Sequence, residues 1–451
     1  MIRSISFHMP GGCCPWRIGM DRFPERPGTP VIQSPVFKPE GACMKTFSIT
    51  ILAILTTWSG ALLAQEPEAP PPPAAIDVPV KVEPNVEEKT PPAVGEKMEQ
   101  KAGGKPVTPV EEKKEAVKDL PVKFKGDVRY RHETIDTDTD DANHRHRIRL
   151  RFGAFAKISE QLEFGFQIAS GAGDPVSTNQ TLAPAFTKKP LIMDLAYFEY
   201  KPLEGLSIVG GKMKNPLFRP GDSQLVWDSD LTPEGLSLSF ERKISSARVF
   251  ATGVVFWNAD RKDDEDDAHI LGGVGGVEMK FGEFRVTAAG ALYNYTKMIG
   301  MAPLYDDDAF GNTLDADSLY VNDYNIIDVG LELGGKLAKL PFAVFGQFVQ
   351  NLAADEEKTA FLAGFSFGEA KKAHGWRLFY NFRKLERDAV FGTFSDSDFI
   401  GGGTGGSGHI MGAEFAFTPN MLLGLIVQKS VIDDADETDY TRVQLDLSVK
   451  F

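Results

Sequence analysis

The sequence predicts an all-β protein, a transmembrane antiparallel β-barrel of about 16 strands preceded by a disordered segment rich in Pro, Glu and Lys. Three observations predict this class. Segments of roughly ten residues that alternate apolar with polar side chains recur through the chain after Pro121. Short and long connections alternate between these segments. No apolar run of about eighteen residues, the length of a membrane-spanning helix, occurs after the first 64 residues.

The composition narrows the possible partners. The chain has 451 residues, of which 63 are acidic and 49 basic, and its formal net charge is −14. We therefore expect no nucleic-acid partner, because nucleic acids bind basic surfaces. All three cysteines, Cys13, Cys14 and Cys43, precede Met44. The chain after Met44 thus has no disulfide framework and no thiol metal ligand, and we expect no cofactor.

The N-terminal region has the pattern of an export signal. Residues 1–43 show no periodicity, and we expect them to be an upstream extension from a misassigned start codon. From Met44, a lysine is followed by an apolar run that ends at the small residue Ala64. This pattern predicts a secretory signal peptide over residues 44–64, with cleavage after Ala64.

A linker is predicted next. Residues 65–120 are rich in Pro, Glu and Lys and contain no aromatic residue. Such a segment cannot bury enough apolar surface to offset the entropy lost on ordering. We therefore expect a disordered periplasmic linker over 65–120 and a barrel over 121–451.

The predicted strands follow one another with a period of two. In the first, Val122, Phe124 and Val128 lie on one face and charged side chains on the other. In the last, residues 440–451, apolar side chains alternate with polar ones up to the terminal Phe451. We expect this last strand to pair with the first and close the sheet. The sixteen segments are centred near residues 127, 151, 165, 196, 210, 238, 252, 275, 290, 330, 346, 363, 380, 413, 425 and 445.

The connections predict the orientation of the barrel. The short ones are 157–161, 201–205, 242–247, 281–283, 336–341 and 418–420. The long ones are 134–144, 171–190, 215–233, 258–268, 297–322 and 386–407. Outer-membrane barrels have short periplasmic turns and long external loops, so we expect a bacterial outer-membrane location with a periplasmic N-terminus. Acidic clusters in the long loops could bind Ca²⁺ or Mg²⁺, but their spacing matches no calcium loop and also suits a hydrated outer surface, so we assign no metal site.

A row of arginines is the main candidate for a functional site. Arg145, Arg147, Arg149 and Arg151 occupy every second position of one strand, which directs all four side chains to the same face. A barrel of about sixteen strands is wide enough for a water-filled channel, whose selectivity depends on the charges at its narrowest point. The residues expected to line the pore are Lys123, Lys125, Arg129, Arg131, Arg145, Arg147, Arg149, Arg151 and Arg442.

Two motifs carry a family resemblance. Gly210-Gly-Lys-Met-Lys-Asn-Pro216 and Val226-Trp-Asp-Ser-Asp-Leu-Thr-Pro-Glu-Gly-Leu236, together with the terminal aromatic strand, resemble the "putative porin" family of outer-membrane barrels. The resemblance covers roughly 121–451. It implies a homotrimer in contact with outer-membrane lipid and lipopolysaccharide, and it implies that the barrel assembly machinery reads Phe451 as an insertion signal.

The third long loop is the expected constriction. In general porins, which the chain resembles in plan, this loop folds inward and narrows the channel. Here it would set acidic side chains across from the arginines and so create a transverse field. The residues assigned to the constriction loop are Arg219, Asp222, Asp228, Asp230 and Glu234.

The predicted function is a porin for passive diffusion of small hydrophilic solutes or ions. One alternative is an anion- or phosphate-selective porin. Residues 121–451 have 35 basic and 48 acidic side chains, a net charge of −13, which counts against a strongly basic constriction but leaves this alternative open because much of the acid lies in the loops. Another is a structural or adhesive barrel with a plugged lumen. We expect no enzyme, because no histidine has metal-ligand spacing and no nucleophile elbow or phosphate loop occurs. The candidates for aromatic girdles at the membrane surfaces are Trp227, Trp257, Trp376, Tyr197, Tyr200, Tyr293, Tyr295 and Tyr380.

Overall fold

The structure is a computed structural model that describes residues 121–183, 185–259 and 267–451. The upstream extension, the signal peptide and the linker, which were predicted for residues 1–120, lie outside the described residues. No helix in the described part is long and apolar enough to cross a membrane.

The described chain consists almost entirely of strands. These are β1 (Val122–Thr137), β2 (Asn143–Lys157), β3 (Leu162–Ser170), β4 (Gln180–Thr181), β5 (Leu191–Leu203), β6 (Leu206–Lys212), β7 (Glu234–Ile244), β8 (Ala247–Ala259), β9 (Ala268–Phe281), β10 (Phe284–Tyr295), β11 (Tyr324–Leu337), β12 (Leu340–Asn351), β13 (Thr359–Gly368), β14 (Trp376–Leu385), β15 (Gly406–Thr418), β16 (Met421–Ile432) and β17 (Asp439–Lys450). Three single 3₁₀ turns span Pro220–Asp222, Gly392–Phe394 and Phe399–Gly401.

Sixteen of these strands form a closed antiparallel barrel, which confirms the predicted fold class. Each barrel strand pairs with its neighbours along the chain, and β17 pairs with β1 to close the sheet. In that closing register Asp127 lies opposite Lys450, and Thr137 lies opposite Tyr440. The remaining strand, the two-residue β4, pairs only with β2. Each of the sixteen predicted centres lies within one barrel strand.

The two ends of the barrel differ in the length of their connections. One end carries the loops L1 (138–142), L2 (171–190), L3 (213–233), L5 (296–323), L6 (352–358), L7 (386–405) and L8 (433–438). The label L4 is kept for the connection between β8 and β9, whose residues 260–266 lie outside the described residues. The other carries the turns 158–161, 204–205, 245–246, 282–283, 338–339, 369–375 and 419–420. The described chain begins and ends at this short-turn end. The four longest loops, L2, L3, L5 and L7, therefore gather around one mouth.

The outer surface of the barrel is apolar. Phe124 is 62% exposed, Leu238 is 52% exposed and Leu292 is 64% exposed, and all three point away from the interior. Their neighbours along each strand point inward, because successive side chains of a strand alternate between its faces. An exposed apolar surface of this extent is what a barrel presents to lipid.

The interior has two different halves. The inner face of β8–β13 is mainly apolar, with buried side chains such as Val254, Ile270 and Leu362 in one cluster with residues of L3, L5 and L7. Asp328 and Gln347 are buried on the same face and share a hydrogen bond of 2.9 Å. Trp227 of L3 lies at its centre, 5.2 Å from Tyr293 and 6.1 Å from Tyr295 between ring centroids. The assignment of these three residues to aromatic girdles is therefore wrong. The inward loops offer them an apolar surface inside the barrel, where they are almost completely buried.

Candidate pore constriction

The arginine row lies on the other inner half of the barrel, formed by β1, β2 and β17. The register of β1 and β2 places Arg129 opposite Arg149 and Arg131 opposite Arg147. Arg151 faces Asp127 in the same register. So many like charges on one wall require counter-charges, because their mutual repulsion is strong away from bulk water.

Glu133 supplies the first set of counter-charges from β1 itself. Its carboxylate is fully buried and lies 2.7 Å from Arg145, 3.4 Å from Arg147 and 2.6 Å from Arg442. One glutamate thus joins guanidinium groups from β2 and β17. The alternation of β1 marks Glu133 as inward-facing, but the strand pairing is needed to find its three partners.

Asp446 of β17 and Asp127 of β1 supply two more counter-charges for the arginines. Asp446 accepts two hydrogen bonds from Arg131, at 2.7 and 2.8 Å, and lies 3.6 Å from Arg129. Asp127 accepts two from Arg149, at 3.1 and 2.8 Å. Charge-assisted bonds of this two-pronged kind fix the plane of a guanidinium as well as its position.

L3 folds into the barrel and reaches the arginine row through Asp230. Its carboxylate lies 2.7 Å from Arg151 and 3.7 Å from Arg149. Burial by itself would raise the pKa of Asp230, but the two arginines outweigh it and hold that pKa below its usual range. Asp230 is therefore a charged contact between loop and wall.

L7 also folds inward, which the sequence analysis did not anticipate. Asp398 lies 2.9 Å from Arg131 and 2.7 Å from Arg442 and accepts a hydrogen bond from Gln444 at 3.0 Å. On the same loop, Asp396 binds Arg383 at 2.7 Å. The sequence does contain a feature that indicates this inward folding of L7. The loop was expected to face water, yet it contains several apolar residues, and such side chains are usually buried. They are Val390, Phe391, Phe394, Phe399 and Ile400.

L3 and L7 contact each other directly. Asp228 accepts hydrogen bonds from the backbone N–H of Ser397 at 2.8 Å and of Asp230 at 2.7 Å, and its own N–H donates to the carbonyl of Phe394 at 2.8 Å. Burial raises the pKa of Asp228 well above its usual range, and the nearby Asp396 and Asp230 raise it further. The contact between the loops thus holds a carboxyl group that resists ionisation.

The other predicted site residues lie farther from this network. Arg219 donates a hydrogen bond to the carbonyl of Trp227 at 2.9 Å, within L3. Asp222 ends a 3₁₀ turn of the same loop. Glu234 pairs with Lys212 at 3.0 Å. Lys123 and Lys125 are exposed near the short-turn end. Among the five constriction-loop candidates, Asp230 is the one whose ion pairs with the arginine row are observed in the described residues.

Two polar cavities lie along the arginine wall. One, of about 300 Å³, is lined by Arg129, Arg131, Asp398 and Asp446 among others. The other, of about 250 Å³, is bordered by Arg151, and Asp230 borders both. The tip of L3 therefore separates two polar spaces next to the same wall.

The charges of the ion-pair network on this wall nearly balance. The network contains seven guanidinium groups and five carboxylates, an excess of two positive charges. The cations are Arg129, Arg131, Arg145, Arg147, Arg149, Arg151 and Arg442, and the anions are Asp127, Glu133, Asp230, Asp398 and Asp446. Within the described residues, no group of three or more His, Cys, Asp or Glu side chains could hold a metal ion.

An apolar outer surface around a charged interior that loops narrow defines an outer-membrane channel protein. The chain belongs to the "putative porin" family, whose sequence profile matches residues 114–305 and 342–451. This confirms the resemblance seen in the sequence. The family and the fold are those of a porin-type, non-enzymatic channel of the bacterial outer membrane.

The chain is similar to solved porin structures. OprB of Pseudomonas putida, in its high-pH structure, has a TM-score of 0.51 and 12% identity over 73% of this chain and 94% of its own. OmpF of Salmonella typhi, solved with daunomycin, has a TM-score of 0.47 and 12% identity over 73% of this chain and 97% of its own. At these identities the similarity to OprB is one of fold alone. No curated protein sequence is significantly similar to the chain.

Proposed function

We propose that the protein is a diffusion channel for small hydrophilic solutes or ions whose path follows the arginine wall of β1, β2 and β17. The observation that carries this proposal is the position of the two polar cavities, which lie along that wall and meet at Asp230. The apolar half of the interior is covered by L3, L5 and L7. Ions and sugars avoid such a surface, so the polar half is the route left to them.

The ion-pair network of the wall has an excess of two positive charges, whereas the two cavities on this route are lined by seven basic and eight acidic side chains. The carboxylates of L3 and L7 stand across from the arginines and would produce a transverse field that orients polar solutes. This arrangement supports a porin with weak charge selectivity. The inward folding of three loops also keeps open the alternative of a barrel with a plugged lumen, and conductance measurements separate the two.

Planar-bilayer recordings of the purified barrel test the proposal. We expect discrete channels in potassium chloride, and we expect conductance or ion selectivity to change when Arg147, Arg149 and Arg151 are replaced by glutamine. Lys371→Gln, in a turn at the short-turn end, is the matched control. Unchanged values in the triple variant would refute the proposed path, and an absence of channels would favour the plugged barrel. Liposome swelling with sugars, amino acids and phosphate would identify the solutes.

The same proposal includes the orientation and assembly of the barrel. L1–L8 would face the outside and contact lipopolysaccharide, and the N-terminus would be periplasmic after removal of residues 44–64. Phe451 would act as the insertion signal for the barrel assembly machinery, and the channel would be a homotrimer. Protease accessibility of L1, whose residues 138–142 are exposed, tests the orientation in intact cells, and the mass of the detergent-solubilised protein tests the trimer.

A further inference from the structure

Arg131 and Arg442 form a cradle that is built by the barrel strands alone. Arg131 directs Nε and Nη2 to Asp446, at 2.7 and 2.8 Å. Arg442 directs Nε and Nη2 to Glu133, at 3.1 and 2.6 Å. Both acids belong to β1 or β17, so the two guanidinium groups are oriented by the wall before any loop contributes.

Further donors of the cradle converge on Asp398, whose backbone carbonyl accepts a hydrogen bond from Arg442 Nη1 at 3.0 Å and whose carboxylate binds the others. Arg131 Nη1 binds Asp398 Oδ2 at 2.9 Å, and Arg442 Nη2 binds Oδ1 at 2.7 Å. Gln444 Nε2 donates to Oδ2 at 3.0 Å. Both carboxylate oxygens are thus used, each by a guanidinium. A cradle with this arrangement of donors matches a planar, two-oxygen anion.

The carboxylate that fills the cradle comes from a loop and faces a cavity. Asp398 is on L7, and its side chain keeps 26% of its surface exposed, whereas that of Arg442 keeps 2%. The adjoining cavity of about 300 Å³ is lined by Asp398 and Arg131. This volume is at the lower end of the range of small-molecule sites. A solute in the cavity can therefore approach the cradle from the side on which Asp398 is open.

We propose that Arg131, Arg442 and Gln444 bind the carboxylate group of a permeating solute, and that Asp398 occupies this site as an internal competitor. The inference rests on the proposed channel function and names its substrate class. A solute carboxylate entering the cavity exchanges with the side chain of Asp398. When Asp398 swings away, the network has one negative charge fewer, which favours the incoming anion.

The competition has a measurable consequence. A site that its internal ligand leaves free for only a fraction of the time binds an external ligand more weakly by that fraction. If Asp398 leaves the cradle free about one-tenth of the time, Asp398→Asn tightens carboxylate binding about tenfold. The side-chain amide in this variant does not replace the carboxylate, because its NH2 group would face the N–H donors of the cradle.

The test uses the full-length purified barrel and acetate as the probe, with phosphate and chloride in parallel. Acetate binding is measured from the shift of the unfolding temperature in detergent, and permeation from reversal potentials in planar bilayers. We expect Asp398→Asn to gain acetate affinity and acetate permeability, with smaller gains for chloride and phosphate. Asp434→Asn, which removes a carboxylate from L8 outside the lining of this cavity, is the control and should leave acetate binding unchanged.

Several outcomes would overturn the inference. They are equal gains for all three anions, a gain confined to phosphate, and no gain at all in a folded Asp398→Asn variant. Gln444→Leu, which removes a neutral donor, should weaken acetate binding in the Asp398→Asn background, and an unchanged affinity would also count against the cradle. A wild-type barrel that forms no channels would defeat the proposed function, while the binding measurement would still decide whether the cradle exists.

Discussion

Arg151 and Asp230 form an ion pair of 2.7 Å that ties L3 to the second strand of the barrel. The two residues are 79 positions apart in the chain, and the bond joins a rigid wall to a loop that folds into the interior. On the other side, L3 is held by the burial of Trp227 against the apolar half. The position of the constriction therefore depends on this ion pair, on the burial of Trp227 and on the hydrogen bonds between Asp228 and L7.

Removing the charge of Asp230 should release the polar contact. In Asp230→Asn the bond to Arg151 loses its charge assistance, which weakens the contact by about 1–3 kcal/mol. We expect a larger single-channel conductance and a shift toward anions, because one carboxylate disappears beside the path. Glu234→Gln, whose partner is Lys212 rather than the arginine row, should leave both quantities as they are. A conductance that is the same in both variants would contradict this role of Asp230.

Trp227→Ala should destabilise the barrel and loosen L3. The indole is 1% exposed and contacts Phe256, Tyr293 and Tyr295. Loss of so large a buried side chain costs about 3–5 kcal/mol. We expect a lower temperature for the mobility shift that accompanies barrel unfolding on gels, together with noisier channel currents. The control is Trp257→Ala on the outer surface, where the side chain is 51% exposed. Equal effects of the two substitutions would contradict the role of buried Trp227 in holding L3.

Gly126→Val should impair closure of the barrel. Gly126 exchanges backbone hydrogen bonds with Phe451, at 2.9 and 3.0 Å. A Cβ at this position would lie 2.5 Å from the carbonyl oxygen of Arg151 and 2.5 Å from the Phe451 ring. We expect less folded barrel in the outer-membrane fraction. Gly253→Val is the control, because a Cβ there meets nothing within 4 Å. Normal yields of Gly126→Val would show that the terminal strand tolerates the crowding.

The raised pKa of Asp228 predicts a pH dependence of stability. An unfolded aspartate titrates near pH ~3.9, so between that pH and its raised pKa the folded protein holds an extra proton. The contribution of Asp228 to stability is therefore full at low pH and falls as pH rises from ~3.9 through its raised pKa. We expect the unfolding temperature of the wild type to contain this downward contribution above pH ~4, and we expect Asp228→Asn to remove it.

Asp434→Asn is the matched control for this measurement. Hydrogen bonds from Thr438 lower the pKa of Asp434, so its contribution is lost only as pH falls below the usual range of an aspartate. The downward contribution above pH ~4 should remain in this variant. A slope that survives in Asp228→Asn as well would assign the effect to another group.

The strands were predictable because their signal is local. An alternation of period two places side chains on opposite faces whatever the rest of the chain does, so the inward direction of Arg145–Arg151 follows from the sequence. The pairing of β17 with β1 could also be predicted from the sequence, because a closed barrel leaves no other partner for its first and last strands. The ion-pair partners of the arginines could not be predicted from the sequence. Glu133 and Asp446 are inward-facing by the same alternation, but the register of three strands decides which arginines they bind.

The sequence by itself determined the barrel, its two unlike ends and the arginine wall, since all three arise from short-range periodicity and loop length. The tertiary structure decided how that wall is neutralised and where the path is narrowed. The contact of Asp398 with Arg442 joins a loop to a strand 44 residues away, and the burial of Trp227 needs aromatic partners from several strands. Such contacts depend on how the loops enter the barrel, which is a property of the closed sheet rather than of any one segment.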